Sequence, residues 1–323
     1  MAAGRSIVIG KRQDRLKLQG YNCVKLLIAG AAGQLGTAFV SELKARQDID
    51  FVACSRNELD ITDADNVRQA ITKVKPDFVI NTAAYTQVDL AESEADQAYL
   101  VNQTGPANLA KACQDLNIPL VHFSTDCVFD GHKKSAWIED DPTLPLGVYG
   151  ASKLAGEVAV EEFCNQYLIF RVSWVFSEFG HNFVKTMLNL AATREQLRVV
   201  NDQIGKPTCA AEIVRVVLAI LPKLDKQWGI YHLAQPDVIS WHGFAQAIFK
   251  HAAGYPDDTC EENNREGKLV VKEVLPIPTC DYPTPAQRPA NSTLDTSKLE
   301  QTFGIALTGW HQSLAKTLNA LET

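Results

Sequence analysis

Gly30-Ala31-Ala32-Gly33-Gln34-Leu35-Gly36 is the segment that most limits how this chain can fold. Ahead of it runs Val24-Lys25-Leu26-Leu27-Ile28-Ala29, a short apolar stretch that reads as a buried strand. Behind it, from Gln34 to Ala45, Leu35, Phe39, Val40 and Leu43 recur at helical spacing. Glycine reaches backbone angles that other residues avoid, and its missing side chain lets a pyrophosphate approach the amides. The helix N-terminus adds free N–H donors and partial positive charge. The spacing is G-x-x-G-x-x-G rather than G-x-G-x-x-G, and a glycine-rich turn without a ligand is the plainer alternative. Strand, turn and helix in that order favour dinucleotide binding, with Gly30, Gly33 and Gly36 forming the turn.

The same alternation continues along the chain. Phe51–Cys54, Phe78–Ile80, Leu120–Phe123 and Leu168–Val172 read as strands. Between them lie helical segments: one capped by Asp63 and running to about Val74, two around Ala91–Val101 and Pro106–Leu116, and one near Tyr149–Glu162. Strands alternating with helices imply an α/β fold, a Rossmann-type doubly wound parallel sheet. With 323 residues, the chain has room for about two domains of roughly 100–200 residues each. Past residue 172 the alternation weakens, and residues 254–296 are rich in Pro, Asn, Thr and charge. The expected division is an extension over residues 1–23, a Rossmann domain over 24–172, and a smaller α+β substrate-binding region over 173–323. Some segments of that last region are expected to return to the sheet. A closing helix near Thr308–Leu321 spaces Trp310, Leu314, Leu318 and Leu321 to dock on the body.

Several functional classes fall away. A net charge of −7 argues against a nucleic-acid surface, which would carry a basic stripe. No apolar run approaches the ~18 residues of a membrane span, and Ser6–Ile9 is too short for a signal sequence. The eight cysteines are scattered with no C-x-x-C pair, so a reducing compartment, the cytoplasm, is expected.

The second strand ends at Cys54-Ser55-Arg56. NAD-selective sheets usually place an acid about there to hold the ribose 2′-hydroxyl. A hydroxyl and a guanidinium suit a 2′-phosphate instead, so NADPH is expected over NADH, with NADH still acceptable as a substitute. The plainer reading of Arg56 is a solvated surface side chain.

Tyr149-Gly150-Ala151-Ser152-Lys153 puts Tyr and Lys one helical turn apart on one face. A lysine ammonium about 5 Å from a phenol favours phenolate by about 3 kcal/mol, or roughly 2 pK units, at an effective dielectric near 20. That would bring the tyrosine into acid–base range. Alone, such a pair reads as a surface Tyr and Lys. Here Ser124-Thr125-Asp126 ends a preceding strand, where ligands of doubly wound sheets sit. A hydroxyl there can donate to a carbonyl oxygen as charge builds on it.

In that conjunction the sequence resembles the extended short-chain dehydrogenase/reductases, and within them the dTDP-4-dehydrorhamnose reductases. The resemblance runs from about Lys25 to the C-terminus. It is carried by Gly30–Gly36, Asn81–Asp89, Ser124–Gly131, Val148–Glu157, Phe170–Val175, Asn201–Thr208 and Arg288-Pro289. It implies Tyr149 as proton donor, Lys153 as its partner and Thr125 as the hydroxyl on a 4-keto group. Gly33, Gln34 and Leu35 would line the coenzyme phosphates, and Asp60 and Ile61 would lie near the adenine. Ala83, Ala84, Tyr85 and Thr86 would pass under the coenzyme. Thr86, Val88, Thr125, Asp126 and Trp174 would face the deoxysugar or its nucleotide, although Trp174 also reads as a core aromatic. The implied reaction is hydride transfer from NADPH to a nucleotide-linked 4-keto-6-deoxysugar.

Two departures stand out. Cys127 replaces a common tyrosine, and no adjacent basic residue makes it a reactive thiolate. Some relatives bridge a homodimer through a glutamate-bound metal. Here those stretches read Thr37-Ala38-Phe39 and Ala210-Ala211, so no metal is expected, while another homodimer is not excluded. An epimerase or dehydratase of the same superfamily, holding NAD tightly, remains a second reading. A non-catalytic regulatory subunit resembling the methionine adenosyltransferase beta subunit is a third, and it would tolerate loss of the Tyr/Lys pair that this chain keeps.

Overall fold

Alternate residues of the first parallel strand face opposite sides of the sheet, and both sides are dry. Leu26 and Ile28 join one apolar cluster, and Leu27 and Ala29 join the other. That two-sided burial is why the strand reads as an unbroken apolar run. The computed structural model describes residues 8–9, 24–252 and 269–322. Its main sheet contains β1 (Val8–Ile9), β2 (Val24–Ala29), β3 (Ile49–Cys54), β4 (Phe78–Asn81), β5 (Leu120–Thr125) and β6 (Tyr167–Val172). A seventh strand, Gly229–His232, lies beyond β6. The order is β1-β3-β2-β4-β5-β6 and then Gly229–His232, parallel except for β1. From β2 the chain goes first to β3 on one side and then to β4 on the other. A crevice therefore opens at the carboxyl end of β2, where such sheets take their ligands.

The structure departs from the sequence reading at the N-terminus. Val8 and Ile9, placed in an extension ahead of the fold, pair antiparallel with Ala53 and Val52 and cover the outer edge of β3. The rest of residues 1–23, and residues 253–268 of the proline-rich stretch, lie outside the described residues.

Helices Gln34–Ala45 and Ala210–Ile220 cover one face; Ala64–Val74, Gly105–Leu116 and Val148–Phe163 cover the other. Asp63 caps its helix as expected, accepting from the Asp65 and Asn66 amides. The two helices read around residues 91–116 behave differently. From Ala95 the chain runs into the Gly105 helix through a wide turn at Leu100–Thr104, with no break between. Pro106 explains it, since proline has no amide to donate and crowds the carbonyl one turn back.

Beyond β6 the chain makes short strand pairs: Gln196–Val200 with Glu273–Ile277, Ile204–Gly205 with Ile239–Ser240, and Val175–Phe176 with Thr208–Cys209. Helices Phe183–Ala191, Trp241–Ala252 and Trp310–Glu322 pack with them around Phe244, Trp310, Leu314 and Leu318. Among the described residues no helix is long and apolar enough to cross a membrane.

One buried ion pair ties the helix Val148–Phe163 to β6. Arg171 donates through Nε and Nη2 to Glu157, at 3.0 and 2.7 Å, and both side chains are almost fully buried. Its Nη1 reaches the Glu139 carbonyl, and its guanidinium lies over the Phe129 ring. Phe129 stacks on Trp137, whose indole donates to the Asn291 carbonyl. The loop between β5 and that helix is thus pinned to the body. Removing one partner leaves the other charge buried alone, which costs about 3–5 kcal/mol. Glu157→Leu should therefore lower the urea midpoint sharply. Glu157→Leu combined with Arg171→Met should recover most of the loss; a double variant as unstable as the single one would refute this account.

Candidate active site

The glycine turn is held by contacts that leave no room for side chains. Gly30 has φ 78°, and a Cβ there would lie 2.5 Å from the Ala83 nitrogen. A Cβ on Gly36 would lie 2.3 Å from the Gly30 carbonyl oxygen. The turn thus folds back on itself and against the end of β4. Its outer edge is tied down where the Ala31 amide donates to the Cys54 carbonyl at 3.0 Å. Gly33 begins the helix without any side-chain cap, so the first turn presents amides instead of a side chain. The Gln34 amide group donates to the Val175 carbonyl, and Leu35 packs against the core.

At the end of β3, Arg56 is 70 % exposed and only 3.8 Å from Asp60. The Ser55 hydroxyl is already engaged: it donates to Glu58, a residue to which the sequence drew no attention. Asp60 accepts from the Thr62 amide and hydroxyl, which hold its carboxyl below the usual range. The Ile61 side chain is buried under Gly105, and its carbonyl accepts from Asn108.

Along the floor, Asn81 accepts from the Ala83 amide and donates to His122 Nδ1. Asn102, in the wide helical turn, accepts from the Tyr85 amide at 2.9 Å and donates to the Tyr85 carbonyl at 3.0 Å. It also donates to Ser152 Oγ, which donates to the Tyr149 carbonyl. One amide side chain therefore joins the segment Ala83–Thr86 to the Tyr149 helix. Asn102 was missed in the sequence, where the one signal was a Gly105-Pro106 pair inside a helical pattern.

Tyr149 and Lys153 lie on the first two turns of their helix, at the carboxyl end of β5. Lys153 is buried and donates to the Phe123 carbonyl at 2.6 Å. Burial lowers its pKa to about 8 against the opposing pull of Glu157, one turn further on. Thr125 acts on the Tyr149 phenol in the direction that favours its ionised form. Its hydroxyl donates to Asp126 Oδ1 at 2.9 Å and accepts from the Cys127 amide. Burial pushes the phenol upward, Cys127 and Asp126 add to this, and the Thr125 bond opposes it. The expected depression by Lys153 is thus not what the free chain shows: burial dominates the phenol, and the ammonium is directed to a strand carbonyl. Burial likewise raises Asp126 to about 6, offset by bonds from Thr125 and Ser292. Burial first, and the Asp126 charge second, push the Cys127 thiol up, in keeping with an unreactive side chain.

Beside this group opens a cavity of about 630 Å³ lined by Gln87, Val88, Asp89, Leu90, Glu92, Ser93 and Pro285. Thr86 is exposed near its rim. A narrower recess leads on past Cys127 and Tyr149 to Arg288. Arg288 grips Asp89 with two nitrogens, at 2.8 and 2.7 Å, and so straps the 284–289 segment across the opening. Glu92 accepts from the Val148 amide and so caps the tyrosine helix from outside its own sequence. Trp174 has φ 47°, a costly conformation for a bulky residue. It stacks on Trp241 at 3.4 Å, lies against Gly205, and donates to Ser292. Trp174 packs against the core of this part of the chain, and its indole N–H also reaches Ser292.

Comparison with known proteins agrees with this geometry. The model of the RmlD substrate binding domain matches residues 24–323. A dTDP-4-dehydrorhamnose reductase of Aggregatibacter actinomycetemcomitans is 44% identical over 294 residues, covering 90% of this chain and 97% of that protein. Among solved structures, a dTDP-4-dehydrorhamnose reductase of Clostridium acetobutylicum superposes with a TM-score of 0.84 at 37% identity, covering 93% of this chain and all of that one. One from Bacillus anthracis, in complex with NADP, gives 0.82 at 34% identity over 94% of this chain and all of that one. The chain therefore belongs to the family described by the RmlD substrate binding domain.

Proposed function

We propose that the chain reduces the C4 keto group of dTDP-4-dehydro-6-deoxy-L-mannose (dTDP-4-dehydrorhamnose) to dTDP-L-rhamnose, with NADPH as reductant. The relatives that carry this activity in their names, at 38–44% identity over most of the chain, support the reaction. The relative complexed with NADP supports the coenzyme. The observation that carries the reading is the convergence of Tyr149, Thr125 and Lys153 at the end of β5, next to the glycine turn.

That turn fits a dinucleotide, because Gly30 and Gly36 pack against backbone while Gly33 opens the helix uncapped. Gly33, Gln34 and Leu35 would hold the phosphates, Tyr85 and its neighbours would pass beneath, and Lys153 would hold the nicotinamide ribose. Bound there, the dinucleotide supplies the hydride. Tyr149 supplies the proton to the forming alkoxide at O4. The phenol holds its proton at neutral pH, and burial makes it a weaker donor in the free chain than a phenol in water. Thr125 releases Asp126 to donate to the same oxygen, and Lys153 steadies the phenolate left behind. Asp126, Val88 and Trp174 border the sugar and its nucleotide. The division into residues 24–172 and 173–323 then separates the coenzyme half from the part that closes over the sugar, except that helix Ala210–Ile220 and strand Gly229–His232 return to the sheet.

Two outcomes follow. Tyr149→Phe should lower kcat by about 10²–10⁴-fold while NADPH affinity is retained; full turnover would remove Tyr149 from the mechanism. Lys153 has a folded pKa of about 8, below its unfolded value, so the protonated form opposes folding. That penalty is fully present below pH 8 and fades as pH rises toward the unfolded value near 10.5. At full strength it is on the order of 3 kcal/mol. Lys153→Met should thus melt higher than the parent at pH 7, with a gap that closes toward pH 10.5, and should turn over poorly. A pH-independent gap would show that Lys153 is not held against its charge.

A further inference from the structure

The carboxyl end of β3 already holds an anion. Glu58 Oε2 accepts from the Ser55 amide at 2.7 Å and from the Ser55 hydroxyl at 2.8 Å. Ser55 follows Cys54, whose carbonyl anchors the glycine turn, so these donors stand at the coenzyme crevice. Arg56 is next in the chain, exposed and only loosely paired with Asp60. An amide, a hydroxyl and a guanidinium together are what a 2′-phosphate would use, and a carboxylate occupies the first two. The carboxylate is half-buried, and its charge reaches the neighbouring Cys54 thiol, which it helps burial to raise.

We propose that Glu58 is a built-in competitor for the 2′-phosphate and sets the coenzyme selectivity of this chain. This rests on the nicotinamide-coenzyme reading of the site. NADPH must take Ser55 from Glu58 and tolerate a like charge close by. NADH needs no such exchange, and its 2′-hydroxyl can donate to the same carboxylate. Arg56 and Glu58 therefore pull in opposite directions, and the chain discriminates less sharply than Ser55-Arg56 alone implies.

The turn itself gives Glu58 a second role. Its amide and that of Leu59 both donate to the Ser55 carbonyl, and the side chain reaches back to the amide that opens the turn. Glu58→Gln keeps that acceptor and its length and removes the charge, which separates the two roles. The measurement is Kd for NADPH and for NADH, by nucleotide fluorescence, on the full chain and on Glu58→Gln, Glu58→Ala and Arg56→Ala. Glu58→Gln should raise the preference for NADPH by roughly fivefold to tenfold, the scale of one like charge a few ångströms away when water screens it fully. Glu58→Ala should shift it the same way, and Arg56→Ala should lower it. An unchanged preference in Glu58→Gln, with both coenzymes still bound, would overturn the role of Glu58 and leave the reductase reading intact. Failure of the parent chain to bind either coenzyme would overturn that reading, and this proposal with it.

Discussion

The site depends on how closely one helix lies against its neighbours. A Cβ on Gly150 would fall 2.2 Å from the Cys127 carbonyl oxygen, and one on Gly156 would fall 2.1 Å from that of Asn102. Neither approach leaves room for a methyl group, so these two positions set the height of the helix over β5. Only at that height does Lys153 reach the Phe123 carbonyl and does Tyr149 meet Thr125. The Glu157–Arg171 pair fixes the same helix against β6, and Glu92 closes its first turn. Steric exclusion, a buried ion pair and a borrowed cap thus act on one element that carries both Tyr149 and Lys153.

Desolvation then drives the proton affinities of the phenol and the ammonium apart. Burial raises the phenol and lowers the ammonium to about 8. Each group is held nearer its neutral form than it would be in water. The expectation drawn from the sequence counted only the attraction between a cation and a phenolate. In the folded chain the loss of water is the larger effect, and the ammonium has a carbonyl to satisfy.

The sequence revealed most where a local rule acts alone. The strand, glycine turn and helix from Val24 to Ala45 were legible because each residue follows its own backbone preference. Asp63 was legible as a cap, and Tyr149 with Lys153 as partners one turn apart. What stayed hidden was set by distance in the chain. Glu92 lies 56 residues from the amide it caps, and Trp174 lies 118 from the serine it bonds. Asn102 is an ordinary polar residue until the wide turn aims it at Tyr85. The edge strand at Val8–Ile9 was hidden for a different reason: two residues are too few to show alternation.

The wide turn at Leu100–Thr104 fixes the length of its own helix. Each residue of a regular helix advances the chain by about 100° around the axis. Loss of one residue here would let the spiral close normally, yet everything upstream would swing by that angle. Asn102 could not then serve Tyr85 and Ser152 together, and the segment Ala83–Thr86 would part from the helix Val148–Phe163. A surplus residue inside a helix therefore works as a timing mark, setting the angle at which one end of the element meets its neighbours.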